Sequence, residues 1–501
     1  MKKILFGAFA MMLAACGGVN IPENYTQSDR VPAIYPDYVD VTIPVNIAPL
    51  SLMILTDSMP DVDDAVVRYS FNGEEIVCGG MKAQPSIGSW HDLAAKAKGG
   101  DITVEVYTHA NDQWTRHQPF AIHVSPDSID PWLSYRLISP SYVTYEELTL
   151  NQRCLEDYDE RVMVDNMLCC TEVNGQCVNC HNYQMYNPQR MQFHARQNHG
   201  GTIIAYDGKL RKVNMRNDSV ISAGVYPTWH PTLPLIAYST NHTSQSFHTR
   251  NLNKIEVSDA ASDLILYDLE KNTVANVEND PHEFEVFPFW APDGRSLYYA
   301  SAHFVYRDTT ENAAEIYMRA SEVKYNIYRK SFDPQTHHFG PREPVFIADT
   351  LGMSATLPRI SPDGRYLMFT LGNYGVFHIW HHEADLWLMD LQTGETRPLD
   401  EVNSADTESY HSWASNGRWV VFSSRRTDGN FTRPFIAHID ANGHGSKAFE
   451  LPQRDPAYHR EFMKSYNIPE LMRGPVNFSP QQFADVLKNS EAETATFIGK
   501  Q

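Results

Sequence analysis

The sequence predicts an all-β protein, a β-propeller of about six blades preceded by a small β-sandwich-like domain. Three observations carry this reading. A strand–turn–strand pattern recurs four times without gaps in the second half of the chain. Each copy is followed, after a variable loop, by a further strand pair. Residues 36–130 alternate apolar and polar side chains with a period of two.

Composition bounds the function. The chain has 501 residues, with 41 basic and 61 acidic side chains and a net charge of -20. Hydrophobic residues make up 42% and aromatics 12%, which supplies a large core and excludes disorder as the main state. The acidic balance repels phosphate backbones and argues against nucleic acid as a partner. Beyond the N-terminus no apolar run approaches the roughly 20 residues of a membrane-spanning helix, so a transporter or channel is not expected.

The N-terminus reads as an address. Lys2 and Lys3 precede an apolar run from Ile4 to Ala15, the layout of an export signal. The run ends Leu13-Ala14-Ala15-Cys16-Gly17 and resembles the lipobox of bacterial lipoproteins. The resemblance implies cleavage before Cys16, lipidation of its thiol, and attachment to the membrane through that anchor. Gly17 in place of aspartate favours the outer membrane. Residues 1–15 are then a signal peptide and 16–35 a tether.

Four segments of residues 36–130 have the alternation of strands, starting at Tyr38, Ala65, Asp101 and Phe120. A helix-like stretch, Trp90-His-Asp-Leu-Ala-Ala-Lys-Ala, interrupts them. Residues 131–181 read as a connector that carries a cysteine cluster. Seven cysteines are present. With Cys16 lipidated and Cys177 and Cys180 used chemically, Cys78, Cys154, Cys169 and Cys170 permit three disulfide pairings. Cys154 with Cys169 or Cys170 would close a short loop.

The one motif that carries chemistry is Cys177-Val-Asn-Cys180-His181, the spacing of covalent haem attachment in c-type cytochromes. Two thiols add to the vinyl groups of one haem, and the adjacent histidine ligates the iron. Cys177 and Cys180 are therefore the expected haem attachment points and His181 the proximal ligand, with His194 favoured as the distal one over Met185, Met191 and His199 nearby and Met163 and Met167 upstream. Two alternatives stand beside haem c. Cys177 and Cys180 are structural disulfide cysteines, or they bind zinc with His194 and His199.

The repeat begins at Tyr226, Phe287, Leu357 and Tyr410. One column reads Trp229, Trp290, Ile360, Trp413, and another Tyr238, Tyr299, Phe369, Phe422. Pro-Asp-Gly or Ser-Asn-Gly supplies the turn, because proline presets φ and glycine accepts a positive one. The lines resemble the Pro-Asp repeats of TolB-type propellers over residues 222–450. The first copy departs, with Pro231-Thr232-Leu233 at the turn. Residues 182–221 are expected to supply a further blade and the C-terminal region another, within a propeller at 182–475 and a tail at 476–501.

The expectation for function is a membrane-anchored propeller with a c-type haem that transfers electrons to a protein partner docked on the propeller face. The alternative is an envelope binding scaffold that recognises protein or glycan. A metal enzyme using His230, His378 and His411 in the central channel is the third reading. No hydrolase elbow, P-loop or dinucleotide fingerprint is present, so the balance leans away from an enzyme.

Overall fold

A computed structural model describes residues 19–57, 59–139, 147–170, 176–308, 310 and 312–501. Cys16 and the expected signal lie outside the described residues. Among the described residues no helix is long and apolar enough to cross a membrane.

Six four-stranded sheets build the propeller, and their inner strands touch one another in a closed cycle. Blade 2 comprises Gln176–Gln184, Asn187–Gln197, Gly201–Tyr206 and Lys209–Asn214, from the axis outward. The inner strands of blades 3 to 6 are Val225–Trp229, Glu283–Trp290, Ser354–Ile360 and Glu408–Trp413. Blade 1 is assembled from both ends of the propeller. Its inner strand is Ser465–Met472, and Trp132–Ile138, Thr149–Cys154 and Glu160–Asp165 follow outward. The fold class is thus all-β, with six blades.

Two segments differ from expectation. Residues 131–181 are not a connector: they hold three strands of blade 1 and open blade 2. They lack the repeat's Pro-Asp-Gly turn, so the pattern that marks blades 3 to 6 passes over them. Residues 476–501 are not a free tail. A helix at Pro480–Asn489, capped reciprocally by Ser479 and Gln482, buries Phe483, Ala484 and Leu487. Two short strands after it add in parallel to the outer edges of blades 2 and 3, which covers edges otherwise open to pairing.

The turns follow the chemistry of the repeat. Asp293, Asp363 and Asn416 each accept the backbone N–H two residues on, and Gly294, Gly364 and Gly417 have φ between +66° and +76°. The column Tyr238, Tyr299, Phe369, Phe422 is fully buried.

Before the propeller, a seven-stranded sheet includes Val41–Pro44, Val62–Phe71, Asp101–Ala110 and Phe120–Ser125, one from each alternating segment. A three-stranded sheet lies beside it. The helix Ile87–Lys96 buries Trp90, Leu93 and Ala94 along one stripe. This unit shares one apolar core with blade 6, where Trp419, Val421, Ile436 and Phe449 join Tyr69, Trp90 and Ile122. Polar contacts seal the join: Ser415 Oγ donates to Asp130 at 2.7 Å, and Trp419 Nε1 donates to the Asp127 carbonyl at 3.2 Å.

The six described cysteines are unbridged. Cys154 ends a strand whose other end, at Thr149, pairs with Asp165 near Cys169. Five strand steps separate the two by about 16 Å, beyond the reach of a disulfide, so the pairing of Cys154 with Cys169 or Cys170 does not form.

Candidate functional site

The inner strand pair of every blade breaks register at an equivalent place, and that of blade 2 breaks again at Tyr183/Gln184. The residue at the break has a positive φ in all six: Cys180 (+55°), Tyr226 (+48°), Phe287 (+53°), Leu357 (+55°), Tyr410 (+50°) and Ile468 (+53°). None is glycine, and each such backbone costs on the order of 1 kcal/mol. The bulge turns these six side chains to the axis, where they surround a narrow throat of about 30 Å³. The following residue is proline in four blades and His181 or His411 in the other two. Cys180-His181 is therefore the bulge dipeptide of blade 2, with Tyr183 in the tryptophan column.

The throat separates two chambers. The wider, of about 320 Å³, is lined by Cys177, Cys180, Arg136, Arg196, Tyr410 and Trp380, among others. The narrower, of about 100 Å³, lies on the tryptophan face. The residues two beyond each bulge ring it: Asn182, Thr228, Phe289, Arg359, Ser412 and Glu470. Tyr183, Trp229, Trp290, Ile360, Trp413 and Leu471 form its outer wall.

Several polar groups around the narrow chamber are incompletely satisfied. Trp229 Nε1, Trp290 Nε1 and Asn182 Oδ1 are buried without a hydrogen-bond partner. Asn182 Nδ2 donates to Glu470 Oε1 at 2.8 Å. Burial pushes the Glu470 carboxyl up to about 7, partly offset by Asn182 and Arg359. Burial also brings the Arg359 guanidinium down to about 10, against the opposing pull of Glu470. Arg359 donates to the Pro358 carbonyl at 2.9 Å and lies 4.9 Å from the centre of the Phe289 ring.

The residues expected from the sequence fall as follows. Cys177 and Cys180 open on the wide chamber, whereas His181 lines the throat and not that chamber. Burial, reinforced by Arg136, brings the His181 imidazole down to about 3, so it is neutral. Neither of its ring nitrogens makes a hydrogen bond of normal geometry. His194 is not brought to His181. It sits one strand outward opposite Asn179, bonds Thr202 Oγ1 at 3.2 Å and lines a separate cleft. Among the described residues no group of three or more His, Cys, Asp or Glu side chains converges to hold a metal. The zinc set Cys177, Cys180, His194 and His199 is thus not assembled.

The channel histidines are turned away from the chambers. His230 Nε2 meets the Gly294 carbonyl at 3.0 Å and His411 Nε2 the Met368 carbonyl at 3.1 Å. His378 Nδ1 lies 3.1 Å from Thr356 Oγ1. Arg359 and Glu470 were not singled out by the sequence. Their signal is positional: among the six residues two beyond a bulge, these are the two that carry a charge.

No known family model matches the chain, and no curated protein sequence matches it. Solved structures with a likeness include TolB from Acinetobacter baumannii, at 12% identity and a TM-score of 0.41, covering 77% of this chain and 85% of that one. An apocarotenoid oxygenase from Synechocystis is similar at 9% identity and a TM-score of 0.35, covering 88% and 97%. An oligogalacturonate lyase in complex with manganese is similar at 12% identity and a TM-score of 0.28, covering 71% and 86%. The propeller assignment rests on the six sheets of this chain and the closed cycle of their inner strands.

Proposed function

We propose that the protein is a ligand-binding propeller of the cell envelope, exported and tethered through Cys16, with its binding site in the narrow axial chamber. The observation that carries this is the set of buried, unpartnered groups around that one cavity: Trp229 Nε1, Trp290 Nε1 and Asn182 Oδ1. Each unsatisfied group costs about 1–3 kcal/mol, and a guest in the chamber would offset that cost. Aromatic walls with a few convergent polar groups are the usual make-up of a small-molecule site.

The test is a ligand panel of amino acids, short peptides and saccharides, read by melting temperature and by tryptophan fluorescence. One class is expected to raise the melting temperature and change the fluorescence saturably, with the response reduced in Trp290→Phe. A folded protein that responds to none of the panel would overturn the reading. The tether is tested by labelling with a radioactive fatty acid: Cys16→Ser is expected to lose both label and membrane association, and retained label would refute it.

A covalently attached haem at Cys177 and Cys180 is the second reading. The motif spacing favours it, as do the two unsatisfied ring nitrogens of His181. It requires the imidazole to leave the throat for the chamber on which the thiols open. Bound haem would supply one-electron chemistry. A visible spectrum of protein made with haem-attachment machinery decides it. Sharp reduced bands that survive denaturation and vanish in Cys177→Ala/Cys180→Ala would support it, and a featureless spectrum removes it.

A further inference from the structure

Resting on the narrow chamber as the binding site, we infer that its guest is a small zwitterion, with a cationic end toward Glu470 and Asn182 and an anionic end toward Arg359 and Trp290. The polar groups of the chamber are segregated by sign around the axis. Glu470 belongs to blade 1 and Asn182 to blade 2, and they are joined at 2.8 Å. Trp290 belongs to blade 4 and Arg359 to blade 5. In a six-bladed ring blade 1 faces blade 4 and blade 2 faces blade 5, so Glu470 and Asn182 Oδ1 stand across from Trp290 Nε1 and Arg359, with Trp229 Nε1 on blade 3 between the two sides.

The two charges act on each other only through space, without direct contact. Among the described residues neither has an ion-pair partner within 4.0 Å: the Glu470 carboxylate accepts from Asn182, and the Arg359 guanidinium donates to the Pro358 carbonyl. A buried charge without a close partner is costly, and a guest with both signs compensates the two at once. A neutral polyol would leave both charges uncompensated. A simple anion would face Glu470, and a simple cation would face Arg359. Asn182 Oδ1 would accept from the cationic end, beside the carboxylate, and Trp290 Nε1 would donate to the anionic end, beside the guanidinium. The volume of about 100 Å³ restricts the guest to a few heavy atoms or a small terminal group.

The experiment is calorimetric titration of the full chain with glycine, β-alanine and 4-aminobutyrate, which space the two charges progressively. Propylamine and propionate present each charge alone, and glucose presents none. At least one zwitterion is expected to bind saturably and more tightly than all three controls. Arg359→Gln and Glu470→Gln are each expected to weaken it on the order of tenfold or more, with Arg359→Lys weakening it less. Near-ultraviolet circular dichroism establishes that the variants are folded. Equal or tighter binding of a singly charged probe or of glucose would overturn the zwitterion inference and leave the chamber as a binding site. Absence of binding by all six probes would overturn the inference, and the chamber itself then falls only if the wider panel is also silent. Zwitterion binding that both variants retain in full would place the guest elsewhere and refute the inference.

Discussion

Glu285 carries a carboxyl on the inner strand of blade 4 with no exposed surface. Burial, then the nearby Asp263 carboxylate, push it up to about 9 from an ordinary 4.5. It is protonated in the fold at neutral pH and ionised in the unfolded chain. The unfolded state then binds fewer protons, so this group lowers stability as pH rises from about 4.5 to about 9. Glu285→Gln is expected to raise the melting temperature at pH 8 and to change little at pH 4. Melting curves across pH check this, and an unchanged pH slope would contradict it. Glu470 titrates near 7 in the company of Asn182, Arg359, Tyr183 and Tyr186. A cationic group in the narrow chamber is therefore expected to bind more tightly at pH 8 than at pH 6, which the same titrations at two pH values measure. Gly294 is a third case. Its φ is +66°, and a Cβ there would lie 2.5 Å from His230 Cε1. Gly294→Ala is expected to destabilise by about 1–3 kcal/mol, read by urea denaturation.

At the scale of the element, the bulged inner strand is the unit of design. Six hairpins insert a residue at the same point, and each sends one side chain into the throat. Proline fits after the bulge because the freed N–H is not needed in the ladder. The strand Ser465–Met472 does more than repeat the motif, because it is the inner strand of a blade whose other strands lie over three hundred residues earlier. Truncation before Ser465 is expected to open the ring between blades 6 and 1. Hydrogen exchange would then show loss of protection in Trp132–Ile138 as well as in the deleted region, and retained protection there would show that closure is dispensable.

For the whole molecule, the join between the N-terminal unit and blade 6 is a single apolar core. Trp419 is fully buried in it. Trp419→Ala is expected to cost about 3–5 kcal/mol and to lower the stability of both units together. One cooperative transition seen by probes in each unit supports that coupling. Two separated transitions in the unmutated protein would show that the join is weak.

What the sequence determined by itself was what local chemistry decides. The Pro-Asp-Gly turns, the alternation of apolar residues and the tryptophan column identify blades 3 to 6, because turns and strand faces depend on residues close in the chain. Blade 2 was legible as a hairpin, yet its inner strand was hidden: Cys180-His181-Asn182-Tyr183 occupies the place of Tyr-Pro-x-Trp with different residues. Blade 1 was legible only as a further blade near the C-terminus, since its other three strands come from the opposite end of the propeller and no local pattern records that pairing. The Cys177–His181 motif shows the same division. Spacing along the chain suggested one shared site, and the structure places Cys180 between the two: it lines the throat with His181 and the wide chamber with Cys177. The placement of polar groups around the narrow chamber is likewise a tertiary fact. Asn182, Arg359 and Glu470 are far apart in sequence and meet around one cavity only because ring closure carries the same offset of each blade to the axis.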